Sequence, residues 1–141
     1  MCVVKVVETP GELDSVFTIR RVVFIEEQNV PEDEEIDEHD ADAVHFLLLS
    51  GGEAVAAGRN RYFDDWAQLE RIAVLDGHRG RGHGARLTRY MMEHARGEGH
   101  GTLVVNSQLW VMGFYGKLGF VEEGEVFLDA GIEHKRMVLR E

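Results

Sequence analysis

The sequence predicts an α/β (α+β) protein: one mixed, mostly antiparallel central sheet flanked by helices. Three observations carry that expectation. Two apolar runs, AVHFLLLSG (43–51) and EAVAAGRNRYF (53–63), meet at Gly51 and Gly52 and read as a hairpin. A third run, LERIAVL (69–75), passes through a glycine-rich loop into the helix-forming stretch ARLTRYMMEHAR (85–96). Near the end, FVEEGEVFLD (120–129) and HKRMVL (134–139) flank a GIE turn and read as a closing hairpin.

The remaining elements fall between these. VVKVVE (3–8) alternates as a strand does. Thr9 then offers an N-cap, Pro10 suits the first helical turn, and Glu12 closes a capping box. Leu13, Val16, Phe17, Val23 and Phe24 recur at spacings of three, four and seven, so this helix is expected to reach about Glu27. NVPEDEEIDEHDAD (29–42) reads as an acidic loop or short helical piece, and DDWA (64–67) as the turn into the 69–75 strand. A helix is expected from about His83 to Arg96, a strand over 102–107 and a short helix over 109–118. The unit of strand, glycine loop and helix is the natural ligand site of such a sheet.

Composition bounds the function. The 141 residues suffice for one domain, expected to span 1–141, with a sizeable core. Apolar runs are too short to cross a bilayer, and MCVVKVVETP lacks the pattern of a secretory signal, so a cytoplasmic location is expected. Cys2 is the sole cysteine, which excludes an internal disulfide and a cysteine metal cage. The seven histidines show no ligand spacing, and no metal is expected. A net charge of −11 argues against nucleic acid and anionic membranes as partners. Eight of the 26 acids crowd into residues 31–42, and the cations are twelve arginines against three lysines. Such an acidic, lysine-poor surface suits a high-salt cytoplasm, though a GC-rich genome also favours arginine.

Residues 74–87, VLDGHRGRGHGARL, carry the strongest chemical signal. Gly80, Gly82 and Gly84 let the backbone approach a ligand, and amides at a helix N-terminus bind anions. Arg79 and Arg81 add positive charge, and His78 and His83 stand beside them. A phosphate or pyrophosphate fits this chemistry better than a solvated turn does. No Lys-Ser/Thr follows Gly82, which excludes a Walker loop. The next strand ends at Asn106 rather than at an acid, and only 57 residues follow Gly84, which excludes a dinucleotide fold.

Arg79-Gly-Arg-Gly82-His-Gly84 after an apolar strand resembles the pyrophosphate loop of the GNAT superfamily of N-acetyltransferases. WVMGFYGKLGFVEEG (110–124) is similar to that superfamily's A-x-x-F-Y-x-K-x-G-F segment, with Gly113 where alanine is usual. Three further stretches resemble its ElaA/YjcF-like branch: RRVVFIEEQNVPEDEEID (20–37), VVNSQ (104–108) and EVFLDAGIEHKRMV (125–138).

The resemblance implies the GNAT fold, with a V-shaped splay between the two central strands, and direct acetyl transfer from acetyl-CoA to a primary amine. Acetyl-CoA is a co-substrate here, and no metal is implied. Loop amides of Gly80, Arg81, Gly82, His83, Gly84 and Ala85, with Arg79, would hold the pyrophosphate. The backbone of Ile72, Ala73 and Val74 would bond the pantetheine and stabilise an oxyanion. Asn106 would bond the same arm or simply end its strand, and Phe114 and Lys117 complete the coenzyme set. Tyr115 is the candidate general acid toward the departing thiolate, against a role in packing alone. Glu70 is the first candidate base. Strand alternation puts it on the face opposite Arg71, so only one of the two is expected to face the acetyl group. Glu27, Asp37, Asp40, His45 and His134 are the others, and with Gln28 they form the expected acceptor site. Glu27, Asp37 and Asp40 would favour a cationic acceptor, whether small molecule or peptide. Apolar residues of the closing hairpin could pair across a homodimer. A non-catalytic acyl-CoA-binding sensor of the same fold is the alternative, and would have no need of Tyr115 or a base.

Overall fold

A computed structural model describes residues 1–140; Glu141, the last position of the expected 1–141 domain, lies outside the described residues. Among the described residues, seven strands form one sheet: β1 Cys2–Val6, β2 Val44–Ser50, β3 Glu53–Tyr62, β4 Trp66–Val74, β5 Thr102–Gln108, β6 Val121–Asp129 and β7 Ile132–Arg140. Their spatial order is β1-β2-β3-β4-β5-β7-β6, and only the β4–β5 pair is parallel. Four α-helices accompany them: α1 Pro10–Arg20, α2 Glu32–Glu35, α3 His83–Gly97 and α4 Met112–Lys117. The mixed α/β fold is the one expected.

Alternation along β2 assigns the two faces. Phe46 and Leu48 pack with Leu87 and Met91 of α3, whereas Leu47 between them packs with Val16 and Ile19 of α1. The predicted capping box at Thr9 and Glu12 starts α1. Its helical path reaches Glu27 as expected, but residues Arg21–Glu27 form a wider π-helical segment. Val16, Ile19, Arg20 and Val23 fall at spacings of three, four and seven and are buried on one face, while Phe17 and Phe24 are only half-buried.

Two departures from regular geometry shape the centre of the sheet. Arg71 has a left-handed backbone, φ 55°, and the β3–β4 register shifts between Ala57 and Arg59. Gly58 sits in that shift because α3 presses on it; a Cβ there would lie 2.6 Å from Met91 Sδ. Second, β4 and β5 pair only from Trp66–Thr102 to Leu69–Val105. Beyond that point the strands part, and the β4 edge from residue 70 to 74 has no partner strand on that side among the described residues. This is the expected splay.

Candidate active site

The parting of β4 and β5 opens a cavity of about 480 Å³. Its walls are β4, the end of β5, the π-helical segment, α4 and the turn between β6 and β7. Ile72, Ala73 and Val74 line it along the unpaired β4 edge. The glycine loop stands at one end. Gly80 and Gly82 have φ of 78° and 80°, which an L-residue adopts at a cost. Gly82 is the N-cap of the fifteen-residue α3 and supplies no side-chain cap, so the first amides of the helix are left for an anion. Neither Gly80 nor Gly82 has any described atom within 4 Å of where a Cβ would stand.

The arginines and histidine of this loop are less uniform than the sequence suggested. Arg79 lies back along the cavity: its Nε donates to the Val74 carbonyl at 2.9 Å and its Nη2 pairs with both Glu27 oxygens at 3.0 and 3.1 Å. Arg81 is exposed. His83 is buried, with Nδ1 3.8 Å from Cys2 Sγ, so its ring does not flank a phosphate; its backbone N–H is what it can offer. Gly84 lines the cavity, whereas Ala85 continues the helix behind it. Lys117 borders a separate shallow depression with Arg89 and Glu93 and does not line the main cavity.

Tyr115 does line it. Its ring is held edge-on by Phe114 at 5.0 Å and Phe120 at 5.8 Å between centroids. Burial pushes its phenol up from the ordinary tyrosine range, so it stays protonated at any physiological pH. Asn106 is on the same wall at the open end of β5. Beside it Gln108 Nε2 donates to Gln28 Oε1 at 2.8 Å, tying β5 to the π-helical segment.

Glu70 and Arg71 both line the cavity, contrary to strict alternation, because the left-handed Arg71 breaks the pleat. Glu70 Oε1 accepts from Arg59 Nε at 3.0 Å and stands 3.7 Å from Arg61. That oxygen is engaged by guanidinium groups, which makes Glu70 a poor fit to the role of free base. Of the expected acceptor residues, Asp37, Asp40 and His45 lie outside the lining of this cavity. Asp40 Oδ1 bridges Arg20 Nη1 at 2.6 Å and Arg59 Nη1 at 2.7 Å; the two arginines are 0% and 1% exposed. Asp37 binds Arg59 and Arg71, and burial of the carboxylate is outweighed by those guanidiniums, leaving its pKa lowered. Glu35 completes the cluster against Arg20 and Arg71. His45 Nε2 donates to the Asp40 carbonyl at 2.9 Å, and burial lowers its pKa.

The residues missed in the sequence are these arginines, above all Arg59, which follows the small apolar run AVAAG in its strand. An arginine among EAVAAG and an acid-rich run elsewhere were the available signals. Glu34, Trp110 and Asp129 also reach the cavity wall unannounced.

A seven-stranded sheet, a cleft where its parallel pair divides and an uncapped glycine loop at one end define the architecture of an acetyltransferase fold. The model of the acetyltransferase (GNAT) domain matches residues 19–141, and the chain belongs to that family. An uncharacterized N-acetyltransferase from Bacillus subtilis, YjcF, is 39% identical over 128 residues, 90% of this chain and 91% of that protein. Escherichia coli ElaA superposes with a TM-score of 0.88 at 26% identity, covering all of both chains. A GNAT acetyltransferase from Elizabethkingia anophelis, solved with acetyl-CoA bound, has a TM-score of 0.73 at 14% identity over 99% of this chain and 98% of its own. The last likeness is one of fold alone.

Among the described residues no helix is long and apolar enough to cross a membrane, and no group of three or more His, Cys, Asp or Glu is placed to hold a metal ion.

Proposed function

We propose that this acetyltransferase moves an acetyl group from acetyl-CoA directly to a primary amine. One observation carries the reading: the β4 edge that β5 leaves unpaired lines the same cavity as Gly84, at the uncapped start of α3, and Tyr115. Amides of residues 80–85 grip the pyrophosphate, aided by the helix dipole. Backbone groups of Ile72 and Ala73 take the place of a partner strand for the amide-rich arm of the coenzyme. A free N–H on that edge meets the oxyanion as the carbonyl is attacked. Tyr115 then gives its proton to the sulfur as the C–S bond breaks. Arg79 must release the Val74 carbonyl for the arm to pass, which its exposed, rim-side ion pair permits.

The acceptor end carries Glu34, Glu70 and Asp129, with Arg71 already bound to Glu35 and Asp37. That balance favours a cationic amine over one bearing a phosphate or carboxylate, and it replaces Asp37 and Asp40 as the source of the preference. The reading is tested by following thiol release from acetyl-CoA over a panel of amines. Binding of acetyl-CoA without release on any amine would identify an acyl-CoA sensor instead.

A further inference from the structure

Three buried histidines have one ring nitrogen occupied and one left over: His45, His83 and His134. In His45 and His83 the spare nitrogen is sealed from solvent and has no partner among the described residues. His134 differs. It lines the cavity, and its spare nitrogen is not sealed. Its Nδ1 lies 2.7 Å from the Ile132 carbonyl, an atom that can only accept, so Nδ1 carries the proton. In the neutral ring Nε2 is then a lone pair with no protein partner among the described residues. The ring is also fixed in place, because Phe127 stacks on it at 5.8 Å and 26°. Across the ladders, β5 presents Gln108 and β6 presents Phe127, both uncharged. Glu27, Glu34, Glu35, Glu70, Arg71, Arg79 and Asp129 are the charged groups that line the same cavity.

Resting on the acetyl-transfer reading above, we infer that His134 Nε2 is the general base that takes the proton from the attacking amine. As the amine nitrogen bonds to the thioester carbonyl carbon, Nε2 accepts one N–H proton. The C–S bond then breaks, the carbonyl reforms, and the sulfur receives the Tyr115 proton. The products are the amide and free thiol; imidazolium and phenolate regain their resting states by passing one proton through solvent. Glu70 lacks this freedom because Arg59 and Arg61 bracket its Oε1.

His134→Asn is the direct test, since the asparagine amide can still donate to the Ile132 carbonyl but offers nothing where Nε2 stood. With the best amine of the panel at saturation, kcat should fall about 100-fold or more. The KM for acetyl-CoA should stay within about twofold, because the base acts on the other substrate. The loss should appear in kcat with every amine of the panel that the wild type accepts. A variant that keeps kcat within about threefold overturns the proposal. So does loss of acetyl-CoA binding, by calorimetry, in both His134→Asn and His134→Gln, which would make the residue a packing element. If wild-type protein binds acetyl-CoA yet releases no thiol with any amine, the acetyl-transfer reading itself fails, and the base assignment with it.

Discussion

Replacing Asp40 by asparagine tests the arginine cluster that floors the candidate site. The substitution keeps size and shape but removes a charge shared by two guanidiniums. Asp40 Oδ1 accepts from Arg20 and Arg59, and Oδ2 accepts from Arg20 Nη2 at 3.3 Å and the Asp37 N–H at 3.1 Å. Burial opposes its ionisation, yet the hydrogen bonds and charge of Arg20 and Arg59 win and hold its pKa at about 2, below the ordinary 3.8. At ~1.36 kcal/mol per unit, that depression is about 2 kcal/mol of stability at neutral pH. Asp40→Asn would also leave Arg20 and Arg59, both fully buried, short of one counter-charge, and breaking a buried pair costs about 3–5 kcal/mol in all.

Urea unfolding of both proteins between pH 7 and pH 2.5 separates the two parts. The folded-state pKa is depressed, so the charge-dependent part is complete above the unfolded value near 4 and fades as pH falls toward 2. The gap between the proteins should be about 3–5 kcal/mol at pH 7 and narrow by about 2 kcal/mol across that acid range. Glu35, whose burial raises its own pKa against the pull of Arg71 and Arg20, shares Arg20 with Asp40 and so moves with it. A gap under about 1 kcal/mol at pH 7, or one that stays constant into acid, would refute the account.

Three further outcomes are expected. Tyr115→Phe should cut turnover about 100-fold while acetyl-CoA affinity, by calorimetry, stays within about twofold; in the wild type, no loss of activity should trace to phenol ionisation below pH 10. Gly82→Ala forces a side chain onto φ 80°, so it should cost about 1–2 kcal/mol by thermal melting and weaken acetyl-CoA binding as the loop amides shift. Gly58→Ala places a methyl 2.6 Å from Met91 Sδ; the flexible end of Met91 can yield, so unfolding should show a loss near the lower end of about 1–3 kcal/mol, with the coenzyme affinity unchanged.

Much of the fold was legible because its signals are local. Thr9, Pro10 and Glu12 announce α1 through hydrogen bonds that lie within one turn. Gly51 and Gly52 announce a hairpin in the same way. The start of β4 at Trp66, three residues before the predicted 69, was not local: β5 pairs with Trp66–Leu69 from more than thirty residues away. The π-helical segment was also hidden. Leu13, Val16, Phe17, Val23 and Phe24 fit an ordinary helix well enough, and nothing in that spacing marks the wider turn from Arg21 to Glu27.

The site divides along the same line. The half proposed for the coenzyme is mostly backbone and glycine, so spacing alone marked Gly80, Gly82 and Gly84. Its acceptor half is made of charged side chains, and for those the sequence states the charge without stating the partner. Residues 31–42 read as a solvated acidic face suited to drawing in a cation. In the fold, Glu35, Asp37 and Asp40 instead neutralise Arg20, Arg59 and Arg71, which are 15 to 36 positions away along the chain. Three of that run's acids therefore answer to arginines brought in by α1, β3 and β4, and part of the chain's acidity is an internal requirement rather than a surface property. The same arginines bear on the chemistry left over: they engage Glu70, Asp37 and Asp40, whereas His134, fixed by one carbonyl, keeps its Nε2 without a protein partner among the described residues.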